Sequence, residues 1–435
     1  MKILKGMVAY MDILIKDALT LLPDGVETCS VYVSGGVIAS VSDAPVGFKA
    51  DKTIHGTGKM LIPGLVNAHT HATMTVLRNC ADDLLFDEWL FGRVIPFEDK
   101  LTAEDNYWGT TLSIMEMLST GTTCFIDMYM HLDSVARAVN DSGMRAVLSR
   151  GLMNSADDPS VGEVRIKEAL DALENWKHHD MISFMLAPHA PYTCDEGFQR
   201  EVAQLAKQLN LPIKTHISEG LVEIDTIREK YGCTSVEMMD RNGLLTDTTI
   251  AAHCVQVTES DIKTLAERGV CVITNPVSNL KLANGVAPVP KMMKAGVKVA
   301  LGTDGASSNN TLNMFRELAV LSLIHKGVNH DALAITATEG FTIATKGGAM
   351  AAGRSDMGEI KTGNVADLVL LDLECPNMQP VNNPVSALAY STYGTEVETV
   401  IINGKVLYEN KEFLTIDSGK VYHEVSKICE RIGTR

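Results

Sequence analysis

His69 and His71 stand two residues apart in Pro63-Gly64-Leu65-Val66-Asn67-Ala68-His69-Thr70-His71, at the end of an apolar run. In an extended strand, residues two apart point to the same side, so both imidazoles can grip one metal ion while Thr70 faces away. Taken alone, a His-x-His pair suits ordinary core or surface histidines just as well. His216 and Asp304 end two further apolar runs, and the four together make a His3Asp donor set with room for one water. Four metal-compatible residues seldom fall at equivalent strand ends by accident, so the joint pattern is far more specific than the pair. A divalent ion held this way lowers the pKa of bound water to about 7 and yields a hydroxide nucleophile at neutral pH.

Such a centre needs a proton carrier. Glu219 follows His216 by three residues and can reach the reacting atoms without being a ligand, although Ser218-Glu219-Gly220 reads equally as a solvated turn. His253 ends the run Ile250-Ala251-Ala252 and is read as a hydrogen-bond partner of the metal-bound water, the alternative being a satisfied core histidine. His189 lies in Ala187-Pro188-His189-Ala190-Pro191, where the prolines hold the backbone in a fixed extended course. No lysine ends the fourth apolar run, so a carbamylated bridge between two metals has no candidate there, and one metal per chain is expected.

The elements that must position these residues follow from the hydrophobic pattern. Eight runs rich in Val, Ile and Leu recur: Leu61 to His71, Thr122 to Met128, Arg145 to Leu152, Ile182 to Tyr192, Pro212 to Glu219, Thr248 to Cys254, Val270 to Asn275 and Lys298 to Asp304. Stretches of helical periodicity separate them, including Ala103 to Thr120, Arg165 to Trp176, Glu196 to Leu209, Glu259 to Arg268 and Leu312 to Lys326. Alternation of this kind argues a parallel sheet, and eight strand-helix repeats are the count that closes a (β/α)8 TIM-type barrel. In that architecture the C-terminal strand ends converge on one mouth, so five of the twelve histidines would share a pocket.

The flanks differ. Residues 12 to 54 and 366 to 410 alternate short strand-like runs with turn signals such as Pro23-Asp24-Gly25, and read as two halves of one small β-sandwich domain. The expected organisation is therefore 1–56 for the first half, 57–364 for the barrel and 365–435 for the second half with a C-terminal segment.

Composition sets the remaining bounds. Hydrophobic residues at 46% and charged residues at 21% match a folded globular chain and exclude dominant disorder. Lys and Arg total 38 against 54 Asp and Glu, a net charge of −16 with no basic patch, which argues against nucleic-acid binding. Nine cysteines without CxxC pairing read as reduced thiols, and no apolar run reaches membrane-spanning length. Met1 to Tyr10 lacks the apolar core of a secretory signal, so a cytoplasmic location is expected. Oligomeric state is not legible, and a homo-oligomer is left open.

The quoted histidine run, Ala251-Ala252-His253-Cys254, and Leu301-Gly302-Thr303-Asp304-Gly305 with Ser307-Ser308-Asn309-Asn310 resemble the amidohydrolase superfamily, from about residue 12 to about residue 418. Further residues resemble its adenosine-type deaminases. His216-x-x-Glu219 matches the purine and pyrimidine deaminase pattern, and Asn275-Pro276-Val277-Ser278-Asn279-Leu280-Lys281-Leu282 has the family's form. By this resemblance Glu98 holds the ribose hydroxyls, Arg150 and Arg165 meet the substrate's tail, and His189 contacts substrate. Arg165 also suits the solvated start of a helix.

The implied reaction is hydrolytic deamination of S-adenosylhomocysteine, 5'-methylthioadenosine or adenosine. Metal hydroxide attacks C6, Glu219 protonates the adjacent ring nitrogen, and Asp304 passes the hydroxide's proton to departing ammonia. Zinc suits the donor set, while imidazole also accepts iron, nickel and cobalt. Guanine-type or pterin deaminases and triazine chlorohydrolases share the shell, with Glu98 as the discriminator. An inactive barrel scaffold would be expected to have lost ligands.

Overall fold

The computed structural model describes residues 11–155, 157–158 and 160–434; Met1 to Tyr10, the segment read for a signal, lies outside the described residues. The chain alternates parallel strands and helices between two flanks of mostly antiparallel sheet, in which Ile13–Leu22 pairs in parallel with Lys52–His55 and Lys59–Pro63, an α/β architecture. Strands Leu65–Thr70, Thr122–Asp127, Arg145–Leu148 and Ile182–Phe184 pair in parallel, as do Ile213–Ile217, Thr249–His253, Cys271–Thr274 and Lys298–Leu301. Hydrogen bonds link the two sets: Lys214 N donates to Leu186 O at 2.9 Å, and Asp304 N donates to His69 O at 2.9 Å.

Alternate residues of these strands serve two apolar layers, as the period-two geometry requires. Cys124 and Ile126 pack with Val66, Ala68, Val147, Ile250, Ile273 and Ala300, whereas the intervening Phe125 packs with Ile114, Leu118 and Leu148 of the helix-facing layer. Truncating the fully buried Phe125 to alanine would cost about 3–5 kcal/mol by this reasoning. Some helices start at capping boxes, such as Thr102 with Asp105 ahead of Ala103–Ser119 and Thr258 with Asp261 ahead of Glu259–Arg268.

Three expected strands are interrupted. The run Leu61 to His71 is two strands, Lys59–Pro63 and Leu65–Thr70, which belong to different sheets. Gly64 is the switch: its N–H donates to Asp367 O, Leu65 N–H donates to Gly121 O, and a Cβ on Gly64 would lie 2.0 Å from Thr123 Oγ1. Only glycine lets the chain pass that close to the neighbouring strand. Arg145 to Leu152 breaks at Ser149-Arg150, and Ile182 to Tyr192 breaks before Ala187–Pro188, which pairs with Gly151–Leu152.

The flanks combine into one nine-stranded sheet. Lys59–Pro63 lies antiparallel to Leu368–Asp372, joining the N-terminal strands Ile13–Leu22, Gly25–Ser34 and Val37–Val41 to the C-terminal strands Val397–Ile402 and Lys405–Glu409. The small sheet therefore extends past residue 56 to Pro63, into the span expected for the barrel, because antiparallel pairing with Leu368–Asp372 claims the first half of that apolar run. No helix among the described residues is long and apolar enough to cross a membrane.

Candidate active site

The four expected ligands converge at the C-terminal strand ends. His71 Nε2 lies 3.2 Å from His216 Nε2, and both His69 Nε2 and His71 Nε2 lie 3.3 Å from Asp304 Oδ1. The cluster is buried, with His69 fully enclosed and Asp304 5% exposed. The far sides of two of the rings are already committed: His71 Nδ1 donates to Met128 O at 2.7 Å and His216 Nδ1 donates to His189 O at 2.8 Å. Because a carbonyl can only accept, the neutral form of each ring carries its lone pair on Nε2, and the two Nε2 atoms face each other. Asp304 Oδ2 accepts from Ser278 Oγ and Ser308 Oγ, both at 2.7 Å, which aims Oδ1 at the histidines. Both ring nitrogens of His69 are buried without a hydrogen-bond partner.

A buried set of converging acceptors is unfavourable by itself and is satisfied by a cation, so these residues fit a divalent metal. The outer hydrogen bonds have the arrangement that fixes tautomer and ring orientation in metal-binding histidines. Burial alone would raise the Asp304 carboxyl, but His69 and His71 outweigh it and hold the group well below the usual carboxylate range. His69 and His216 are both pushed well down by burial, which keeps them neutral and able to ligate.

Two more expected residues border this cluster. His253 Nδ1 faces Asn279 Oδ1 at 2.8 Å, and its Nε2 lies 3.8 Å from Glu219 Oε2. Glu219 is buried rather than solvated, and burial raises its carboxyl despite the opposing pull of His253. His253 and Asp304, at φ 74° and 66°, adopt the left-handed backbone that non-glycine residues seldom take. Strain of that kind, of order 1–3 kcal/mol per residue, is characteristically held at functional sites.

A cavity of about 350 Å³ opens onto the cluster, and nine of the ten expected site residues line it; His69 alone sits behind its wall. Glu98 reaches the cavity from the short helix Ile95–Glu98, and burial raises its carboxyl while nearby Tyr129 acts in the opposite direction. Arg150 and Arg165 both donate through Nη1 to the same acceptor, Gly151 O, at 3.1 and 3.0 Å. Arg150 also donates through Nε to Glu168 at 2.6 Å. Burial and then the charge of Arg150 lower the Arg165 guanidinium, the signature of two cations held together. The helix carrying Arg165 begins at Ser160, earlier than the pattern predicts, so this arginine is not a solvated helix start. His189, pushed down to about 3 first by burial and then by the charges of His71 and Arg165, is neutral at physiological pH.

The sequence matches the amidohydrolase family over residues 60–407. The chain belongs to the amidohydrolase family. This amidohydrolase is 43% identical over 428 residues to a 5-methylthioadenosine/S-adenosylhomocysteine deaminase of Caldanaerobacter subterraneus, covering 97% of this chain and 99% of the relative. It is 46% identical over 396 residues to the protein of that name in Acetivibrio thermocellus, covering 91% and 92%. A solved adenosine deaminase from Xanthomonas campestris, with bound zinc, superposes at a TM-score of 0.94 and 36% identity over 98% of this chain and 100% of that one. The amidohydrolase thus has a TIM-barrel-type fold.

Sequence reasoning missed the residues that orient the site of this amidohydrolase. Ser278, Asn279 and Ser308 lie inside the quoted family-like motifs, but nothing in their spacing gives them a target. Tyr129, just past the end of Thr122–Asp127, also lines the cavity. Lys214 sits two residues before His216 in the same strand, fully buried, with Nζ donating to Ile126 O at 3.0 Å. Burial brings that amine down to about 7 against the opposing charges of Asp127 and Asp304. A lysine two residues before an expected ligand, in a strand, was the legible signal.

Proposed function

We propose that this amidohydrolase is a metal-dependent aminohydrolase that removes the 6-amino group of adenosine-type nucleosides, with S-adenosylhomocysteine, 5'-methylthioadenosine and adenosine as substrates. The products are the inosine-type nucleoside and ammonia. One observation carries this reading: a single cavity brings the acceptor cluster, the Glu219–His253 pair, Glu98 and two adjacent guanidiniums together. The names of the relatives, at 43% and 46% identity, support the first two of these substrates.

His69, His71, His216 and Asp304 would hold the ion, zinc being the first candidate because a related adenosine deaminase was solved with it. When bound, such an ion acts as a Lewis acid and lowers the pKa of water to about 7. Glu219 retains a proton more readily than an exposed glutamate and delivers it to the ring nitrogen beside C6. His253, held from behind by Asn279, orients the attacking water, and Asp304 moves the proton that leaves with ammonia. Glu98 accepts hydrogen bonds from the ribose hydroxyls. Arg150 and Arg165 take the carboxylate of the homocysteine tail, and neutral His189 contacts the substrate without adding charge. The same reading takes the eight strand-helix repeats expected in residues 57–364 to close as a (β/α)8 barrel, with the flanking sheet folded as a β-sandwich.

Ammonia release from a panel of purine nucleosides and free bases tests the assignment. Turnover of the three adenosine derivatives is expected; activity on guanine with none on any adenosine derivative would overturn the nucleoside reading.

A further inference from the structure

The loop that carries Glu219 is held by groups that the proposed reaction does not itself use. Glu223, at the third position of the helix Leu221–Tyr231, reaches back so that its two carboxylate oxygens accept the N–H groups of Ser218 at 2.7 Å and Glu219 at 3.0 Å. Glu223 is 3% exposed, so it does not make these bonds as a solvated helix cap. Ser218 takes the left-handed conformation at φ 53°, and its carbonyl accepts from Val255 N at 2.9 Å and Gln256 N at 2.8 Å. The backbone on both sides of the turn is therefore pinned.

The side chain of Glu219 is held independently. Asn284 Nδ2 donates to Glu219 Oε1 at 3.2 Å, which leaves Oε2 as the oxygen facing His253. Asn284 can approach because residue 220 is glycine; a Cβ there would lie 2.6 Å from Asn284 Oδ1. Asn284 is fixed in turn, its N–H donating to Asn279 O at 2.9 Å and its carbonyl accepting from Gln256 Nε2 at 2.6 Å. The segment Asn279 to Asn284 thus orients both members of the pair, with Asn279 against His253 and Asn284 against Glu219.

We propose that Glu223 and Asn284 are positioning residues for Glu219, Glu223 fixing its backbone and Asn284 its Oε1, so that Oε2 is the oxygen that carries the proton. Proton transfer requires hydrogen-bond geometry at the reacting nitrogen, and displacement by about 1 Å from a site remote from the chemistry can lower a rate about 100-fold. A glutamine at 223 keeps the volume but offers one acceptor oxygen and one amino group to two N–H donors, so one of the two anchors is lost.

This inference rests on the reading of Glu219 as the proton carrier, and the experiment separates the two. Steady-state kinetics with 5'-methylthioadenosine and metal content would be measured for E219Q, E223Q, N284A and the E219Q/E223Q pair. E223Q is expected to lower kcat about 10- to 100-fold with KM changed less than about threefold and metal content unchanged. N284A should move kcat in the same sense by about 3- to 10-fold, and it decides the matter alone if E223Q fails to fold. In the pair, E223Q should add less than about threefold to the loss caused by E219Q, since a misplaced carrier and an absent one are the same defect. Parental kcat in both E223Q and N284A, a rise in KM at unchanged kcat, or losses that multiply in the pair would overturn the positioning role. Full activity in E219Q would instead overturn the proton-carrier reading itself.

Discussion

The histidine cluster and the arginine pair lie in one cavity and present mirror-image problems. Around His69, His71, His216 and Asp304, ligand atoms converge, and the outer atoms of three of the four are committed elsewhere: His71 to Met128, His216 to His189, and Asp304 Oδ2 to two serines. Around Arg150 and Arg165, donors converge on the one carbonyl of Gly151. The first arrangement calls for a cation and the second for an anion. They differ in how far the protein has already answered the call. Glu168 neutralises part of Arg150, and Arg165 is only half-buried, whereas nothing inside the cluster offsets the facing imidazole lone pairs. On the proposed reading, an ion at the cluster is a condition of function, and an anion at the arginines adjusts the choice of substrate.

Metal removal should break the comparison at its stronger side. Chelation followed by dialysis is expected to abolish ammonia release from every substrate, and added zinc should restore it; full activity in protein shown by elemental analysis to be metal-free would refute the role of the cluster. Next in size is Glu219→Gln, which keeps the metal but should lower kcat by about 10² to 10⁴, because an amide cannot carry the proton. The loss should be common to all three nucleosides, and a kcat equal to that of the parent would return Glu219 to a structural part.

The arginine pair should behave differently. Arg150→Met or Arg165→Met is expected to lower kcat/KM for S-adenosylhomocysteine by about 10- to 150-fold, the worth of about 1.5–3 kcal/mol for a hydrogen bond to a charged partner. Methylthioadenosine and adenosine, which lack the tail carboxylate, should be nearly unaffected. Equal losses on all substrates would mean that these guanidiniums support the loop at Gly151 instead of reading the tail. Smallest is Glu98→Gln, expected to weaken all three nucleosides by about tenfold through the ribose. Kinetics on a free base alongside the nucleosides would check it, since the base should lose nothing.

Much of this was written in residue type and spacing. His69 and His71 share a side of a strand because extended backbone alternates, and that holds wherever the strand is placed. The positions of His216, His253 and Asp304 at the ends of apolar runs were equally local facts. Strand interruptions were less legible: Leu61 to His71 reads as one apolar run because burial in either sheet demands the same residue types. Only the approach of Thr123 to Gly64 reveals that the chain changes partners there.

By itself, then, the sequence determined the candidate donor set, the alternation of strands and helices, and the candidate for proton transfer, while the substrate-contact candidates came from the family resemblance. The first three depend on side-chain chemistry and on periodicities of two and 3.6 residues, which are properties of short segments. Tertiary structure alone decided which oxygen of Asp304 faces the histidines, that Asn279 and Asn284 serve His253 and Glu219, and that Arg150 and Arg165 share one carbonyl. It also decided that Glu219 is a buried acid and not a solvated turn. Each of these partners is brought close by the fold from a separate segment of the chain, and hydrogen-bond direction and desolvation are set by what lies within a few ångströms in space.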